Sequence, residues 1–100
     1  MIREPSPQTL ARYGFSLEEW RAGVDAQGGV CAICKQEKPL VFDHDHVRGW
    51  FDMPPEKRKL FVRGWLCSYD NWRFLPRGAT PEKLRNAASY LEAYLKRRPR

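Results

Sequence analysis

The stretch Cys31-Ala-Ile-Cys34-Lys-Gln-Glu-Lys-Pro39-Leu40-Val-Phe-Asp43-His44-Asp45-His46 decides how this chain is read. Leu40 to Asp43 is a short apolar, β-prone run that follows a turn through Lys35 to Pro39, and it predicts a first strand. That strand runs into both histidines of the chain, spaced by aspartate. Downstream, Leu60-Phe-Val-Arg-Gly-Trp-Leu66 predicts a second strand. The two make a hairpin whose long tip, Val47 to Lys59, carries the basic triplet Lys57, Arg58 and Lys59.

Helices are expected on either side. Ser16 with Glu19 three residues later is a capping box, Leu17, Trp20 and Val24 share one helical face, and Gly28-Gly29 stops the helix after Gln27. Beyond Cys67, the pattern Tyr69, Trp72, Arg73, Phe74 suits a short helix ended by Pro76 and Gly78. Thr80 as cap and Pro81 at the first helical position open a last helix over 81–97. Its stripe of Leu84, Ala87, Ala88, Leu91 and Leu95 is expected to pack on the rest of the domain. Residues 1–12 show little periodicity and read as a flexible or loosely docked lead-in, which leaves residues 13–100 as one α+β domain without internal repeats.

A chain of 100 residues buries a thin core, so a metal ion would be a useful staple. The odd count of three cysteines, with no signal-like or membrane-spanning apolar run, predicts a cytosolic, reduced protein rather than a secreted disulfide scaffold. Lys and Arg total 18 against 12 acidic residues, a formal charge of +6 that favours a polyanionic partner without specifying one. The basic run from Lys96 to Arg100 reads as a solvated helix end in preference to a dedicated nucleic-acid contact.

Cys31 and Cys34 have the spacing that lets two thiolates reach one ion from a tight knuckle, and Cys67 offers a third. Where a second C-x-x-C would end, the chain has Asp70, whose oxygen zinc also accepts, so a three-thiolate, one-carboxylate structural zinc site is expected. A redox pair or metal-free buried cysteines are the competing readings; the first lacks a thioredoxin-like context. In Asp43-His44-Asp45-His46, acid beside imidazole supplies a hard oxygen ligand for a divalent cation and a base that titrates near neutrality, against the alternative of a plain polar turn or further zinc ligands.

Tyr13-Gly-Phe-Ser-Leu-Glu-Glu-Trp20, Gln27-Gly-Gly-Val-Cys-Ala-Ile-Cys34, Asp43-His-Asp-His46 and Arg63-Gly-Trp-Leu-Cys-Ser-Tyr-Asp-Asn71, taken in that order, resemble the recombination endonuclease VII family within the HNH or His-Me finger nucleases. The resemblance implies a small ββα-metal domain on a zinc-knuckle frame, and a metal-dependent DNA endonuclease leaving 5′-phosphate and 3′-hydroxyl ends. It assigns Asp43 and Asn71 to a catalytic magnesium or manganese ion, His44 to general base and His46 to the scissile phosphate. Double-stranded or branched DNA is the implied substrate. A bacterial host cell, with the protein phage- or prophage-encoded, is the implied setting. A homodimer or a phage protein partner is compatible with it, as is a zinc-stabilised nucleic-acid-binding accessory of a phage packaging or recombination machine, active only with a partner. Strict strand alternation sends Asp43 and His44 to opposite faces, so the strand is expected to end or bulge there if both act on one phosphate.

Overall fold

The computed structural model describes residues 3–75 and 79–97 of the chain. It is a mixed arrangement of helices around a two-stranded antiparallel sheet. Helix α1 spans Pro7–Tyr13, α2 Leu17–Ala26, strand β1 Leu40–His44, α3 Pro55–Arg58, β2 Val62–Cys67 and α4 Pro81–Arg97. A π-helical turn covers Asp70–Phe74, closed by the Leu75 N–H donating to the Asp70 carbonyl at 3.1 Å.

The segment read as a loose lead-in instead carries α1. The Ser6 hydroxyl accepts from the Thr9 N–H, Pro7 occupies a first-turn position where its missing donor costs nothing, and Gly14 ends the helix at φ 73°. Only Leu10 of this helix is buried, too little to print a period on the sequence. A side chain at position 14 would meet the Pro55 carbonyl oxygen at 2.3 Å, so glycine also lets α1 approach α3. Helix α2 carries the capping box as read, with Ser16 and Glu19 each satisfying the other's backbone N–H.

Strand β2 begins at Val62, because Lys59–Phe61 forms a 3₁₀ turn where the sequence suggested strand. The ladder pairs Leu40 with Cys67, Val41 with Leu66, Phe42 with Trp65 and Asp43 with Gly64, then slips so that His44 faces Val62. Arg63 is thus the extra residue of a bulge on β2, and the irregularity falls between Asp43 and His44, where a site shared by both residues would need one. Gln27, just past α2, covers the outer edge of β2: its amide donates to the Trp65 carbonyl at 2.8 Å and accepts from the Trp65 N–H at 3.3 Å.

The main core gathers Leu10, Trp20, Val24, Phe42 and Trp65, with Tyr13, Phe15, Leu17, Leu40 and Val62 packed around it. Each fully buried large apolar side chain contributes about 1.5–3 kcal/mol, so these few residues carry most of the stability. A second cluster of Cys31, Leu66 and Cys67 lies at the other end of the sheet and shares Leu40 with the first.

The hairpin tip is folded rather than irregular. Trp50, 3% exposed, anchors a 3₁₀ turn, and Arg58 lies over its ring while donating to the Phe51 and Arg12 carbonyls. Lys59 pairs with Glu19 and lies 5.2 Å from the Phe15 ring. Two residues of the basic triplet, Arg58 and Lys59, are therefore tied into the fold. Helix α4 departs from expectation more sharply. Thr80 caps it through the Lys83 N–H, but no residue of α4 is buried, and Leu84, Leu91 and Leu95 stay 37%, 56% and 53% exposed. The main core is built without it, from α1, α2 and the two strands. The helix stop at Pro76 and Gly78 and the end of the tail, Arg98 to Arg100, lie outside the described residues. Among the described residues no helix is long and apolar enough to cross a membrane.

Gly23, inside α2, lies under the Trp65 ring, and a Cβ there would meet ring carbons at 2.4 Å. Gly23→Ala gains about 1 kcal/mol of helix propensity but forces apart a ring wedged against Phe15 and Phe42, an overpacking that costs about 1–3 kcal/mol. The expected outcome is a lower urea midpoint than the wild type; an equal or higher midpoint would refute this close packing.

Candidate functional site

Two groups of polar side chains flank the hairpin, one at the Leu40–Cys67 end of the ladder and one toward the Asp43–Gly64 end. The first is built by a tight turn after Val30: the Cys31 N–H donates to the Gln36 carbonyl, the Lys35 N–H returns to the Cys31 carbonyl at 3.0 Å, and Lys35 takes a left-handed φ of 61°. The turn brings Cys31 and Cys34 to Cys67 at the end of β2 and to Asp70 on the π turn. One ligand atom from each of these four residues lies within 4.8 Å of every other. Asp70 Oδ2 alone accepts from both the Cys31 and Cys67 thiols, at 3.2 and 3.3 Å.

Charge in this cluster is already arranged. Burial works against ionising Cys31, yet backbone N–H groups of Cys67, Cys34 and Ile33 aimed at its sulfur outweigh that and hold the thiol below its ordinary range. Burial pushes the Cys67 thiol up to about 11. Asp70 is buried too, but the thiols of Cys31, Cys67 and Cys34 donate to it and hold its carboxyl below the usual range. Two thiol protons converging on one carboxylate oxygen occupy the position that a single tetrahedral cation fills in a closed sulfur and oxygen site. The donor set fits a metal ion and is compatible with structural zinc.

The second group lies farther along β1, where the ladder approaches the hairpin tip. Asp43 is 5% exposed, and Arg63, aimed by the bulge, clasps it with two hydrogen bonds of 2.9 Å. Asn71 sits against the same carboxylate, and its amide has two chemically distinct orientations. In one, the amide nitrogen donates to the Phe42 carbonyl at 3.4 Å and the amide oxygen faces Asp43 Oδ1. In the other, the nitrogen donates to Asp43 Oδ1 at 3.0 Å and the oxygen accepts from Trp72 Nε1 at 3.3 Å. Without a cation the second arrangement satisfies every group. The first turns two hard oxygens toward each other, as a divalent ion requires, so these residues fit such an ion.

His44 stacks on Trp50 with ring centroids 4.0 Å apart and lies 4.5 Å from His46. Burial lowers the His44 pKa, and the neighbouring His46 adds to this against the pull of Asp43, so the ring stays neutral at physiological pH. Both histidines, Asn71, Tyr13, Phe42 and Trp72 line one cleft of about 490 Å³. Asp43 does not itself line this cleft but contacts Asn71, which does. Of the residues singled out in the sequence, the structure gathers Cys31, Cys34, Cys67 and Asp70 in one cluster, His44, His46 and Asn71 on one cleft, and Asp43 behind Asn71. Sequence reasoning missed Arg63, Trp50, Tyr13 and Trp72 as neighbours of these groups. Arg63 alone left a signal, as a cation in the middle of an otherwise apolar strand.

A thiol-rich cluster thus braces a histidine-bearing hairpin in a small mixed domain. The chain belongs to the recombination endonuclease VII family, which matches it over residues 7–93, and membership implies a nuclease. A "Gene 59 protein" of Mycobacterium phage D29 is 39% identical over 66 residues, 62% of this chain and 33% of that protein. The "Gene 59 protein" of Mycobacterium phage L5 is 36% identical over 66 residues, 62% of this chain and 34% of that protein. The matched region therefore spans about a third of the length of these relatives. No solved structure matches the chain significantly.

Elemental analysis of purified protein is expected to find close to one zinc per chain. Cys34→Ala should lower the melting temperature sharply, and a chelator should destabilise the wild type but add little in the variant. A metal-free protein with an unchanged melting temperature after the substitution would dissolve this assignment.

Proposed function

We propose that this chain is a metal-dependent DNA endonuclease of the ββα-metal, HNH type, with His44 as general base. The observation that carries the reading is the approach of Asn71 to the buried Asp43 carboxylate at 3.0 Å, beside a cleft lined by His44 and His46. Asp43 and Asn71 are the residues that would hold a magnesium or manganese ion, which when bound supplies Lewis-acid stabilisation of the charge that develops on the scissile phosphate.

The chain's own groups do the rest. His44, kept neutral by burial and clamped on Trp50, takes a proton from water as that water attacks phosphorus. Its ring cannot swing away without losing the indole face, so the accepting nitrogen is held in place before substrate arrives. His46, exposed beside it, is placed to donate to a phosphate oxygen. Arg63 holds Asp43 in position, and its half-exposed guanidinium offers a further positive charge to the phosphate when it lets go of one carboxylate oxygen. The products carry 5′-phosphate and 3′-hydroxyl ends. Branched DNA, the substrate that the family resemblance suggests, and linear duplex are both candidate targets.

The test uses plasmid and branched DNA with magnesium or manganese. The wild type should nick in a metal-dependent manner, and His44→Ala should cut about 10² to 10⁴ times more slowly while keeping its melting temperature and DNA affinity. Cutting at the wild-type rate by this variant removes His44 from the mechanism. Absence of cutting by the wild type with either metal leaves a binding module instead.

A further inference from the structure

We propose that the groove leading from the His44 and His46 cleft along α1 is a track for an unpaired DNA strand, with Trp72 as the platform on which one of its bases stacks. The inference deepens the nuclease reading and rests on it for the position of the scissile phosphate.

The cleft and a second depression of about 590 Å³ share Tyr13, Phe42, Asn71 and Trp72, so they form one continuous groove. The second depression is also lined by Arg12 and Arg3. Glu4 lies there too, but Arg21 pairs with it at 2.6 Å, so the balance of charge along the groove is positive. The chain has four tryptophans. Trp20, Trp50 and Trp65 are 4%, 3% and 7% exposed, whereas Trp72 is 68% exposed. An open indole of that kind leaves a large apolar face in water. It is not loose: Trp72 sits on the π turn beside Asn71, and in the cation-free orientation of that amide its Nε1 donates to the Asn71 oxygen at 3.3 Å.

An ordered aromatic face followed by cations is the combination with which proteins follow single strands, because bases stack on the ring while the arginines meet the backbone. A base inside a duplex has both faces covered by its neighbours, so Trp72 can engage only a nucleotide that is out of the stack. The groove therefore selects DNA that offers unpaired bases next to the site of cleavage, as at a branch, a flap or a gap.

Fluorescence anisotropy with a labelled oligothymidylate and with a blunt duplex, on the zinc-bound protein with no divalent cation added, tests this apart from cleavage. Trp72→Ala should weaken the single strand by about 5- to 100-fold and the duplex by less than about twofold, while Trp72→Phe, which keeps a ring, retains most of the affinity. The long-wavelength tryptophan emission, which comes from the exposed indole, should be quenched by the oligonucleotide in the wild type and not in either variant. Unchanged single-strand binding in Trp72→Ala, an equal loss on both DNAs, or a Phe variant as weak as the Ala variant would each overturn the proposal. Since nothing is cut in this assay, a failure of the catalytic reading shows separately, as wild-type protein that stacks on single strands but does not nick DNA.

Discussion

One short piece of backbone, Cys67 to Asn71, has to face two ways at once. Cys67 ends β2 and Asp70 turns back to it, so these two residues close the thiol cluster. Asn71, the next residue along, reaches away from that cluster, onto Asp43. Successive residues of a helical turn project about 100° apart, and the wider π turn gives this segment the room to serve both neighbours. If the thiol cluster let go of Asp70, Asn71 would lose its fixed position as well. The part of the molecule that looks purely architectural therefore sets the geometry of the part that faces the cleft.

The bulge at Arg63 solves a second problem. A carboxylate as buried as Asp43 is costly unless it is paired, and a regular ladder would leave its partner strand pointing elsewhere. One extra residue on β2 brings a guanidinium onto both oxygens without opening the core. The same slip releases His44 from the ladder's register, so that it can lie flat on Trp50. Trp50 in turn is held by Arg58 from the hairpin tip, which gives that long connection a structural purpose.

Where the information was local, the sequence was legible. The capping box at Ser16 and Glu19, the cysteine spacing and the two apolar strand segments each depend on residues within a few positions of one another, and each appears in the fold. An irregularity between Asp43 and His44 was also expected, from strand alternation combined with the one shared site that the family resemblance implies. What escaped was set by distant partners. Helix α1 had a cap signal in Ser6 and Pro7 but a single buried residue, so periodicity could not reveal it. The stripe on α4 told which face is apolar and not whether the domain would cover it. Trp72, Tyr13 and Trp50 are ordinary aromatics until folding sets them beside the histidines. The family match identifies the chain as a whole, whereas the grouping of Asp43, His44, His46 and Asn71 is a geometric fact whose chemistry remains a proposal.

The carboxamide of Asn71 has nearly the same outline whichever way round it sits. A half turn about its last bond exchanges a donor for an acceptor at Asp43 and leaves the volume of the side chain unchanged. The pocket can thereby reverse its polarity while its walls stay still. Under the proposed reading, loading and unloading an ion would need no backbone rearrangement, and the fold could stay rigid at the very place where its charge has to be adjustable.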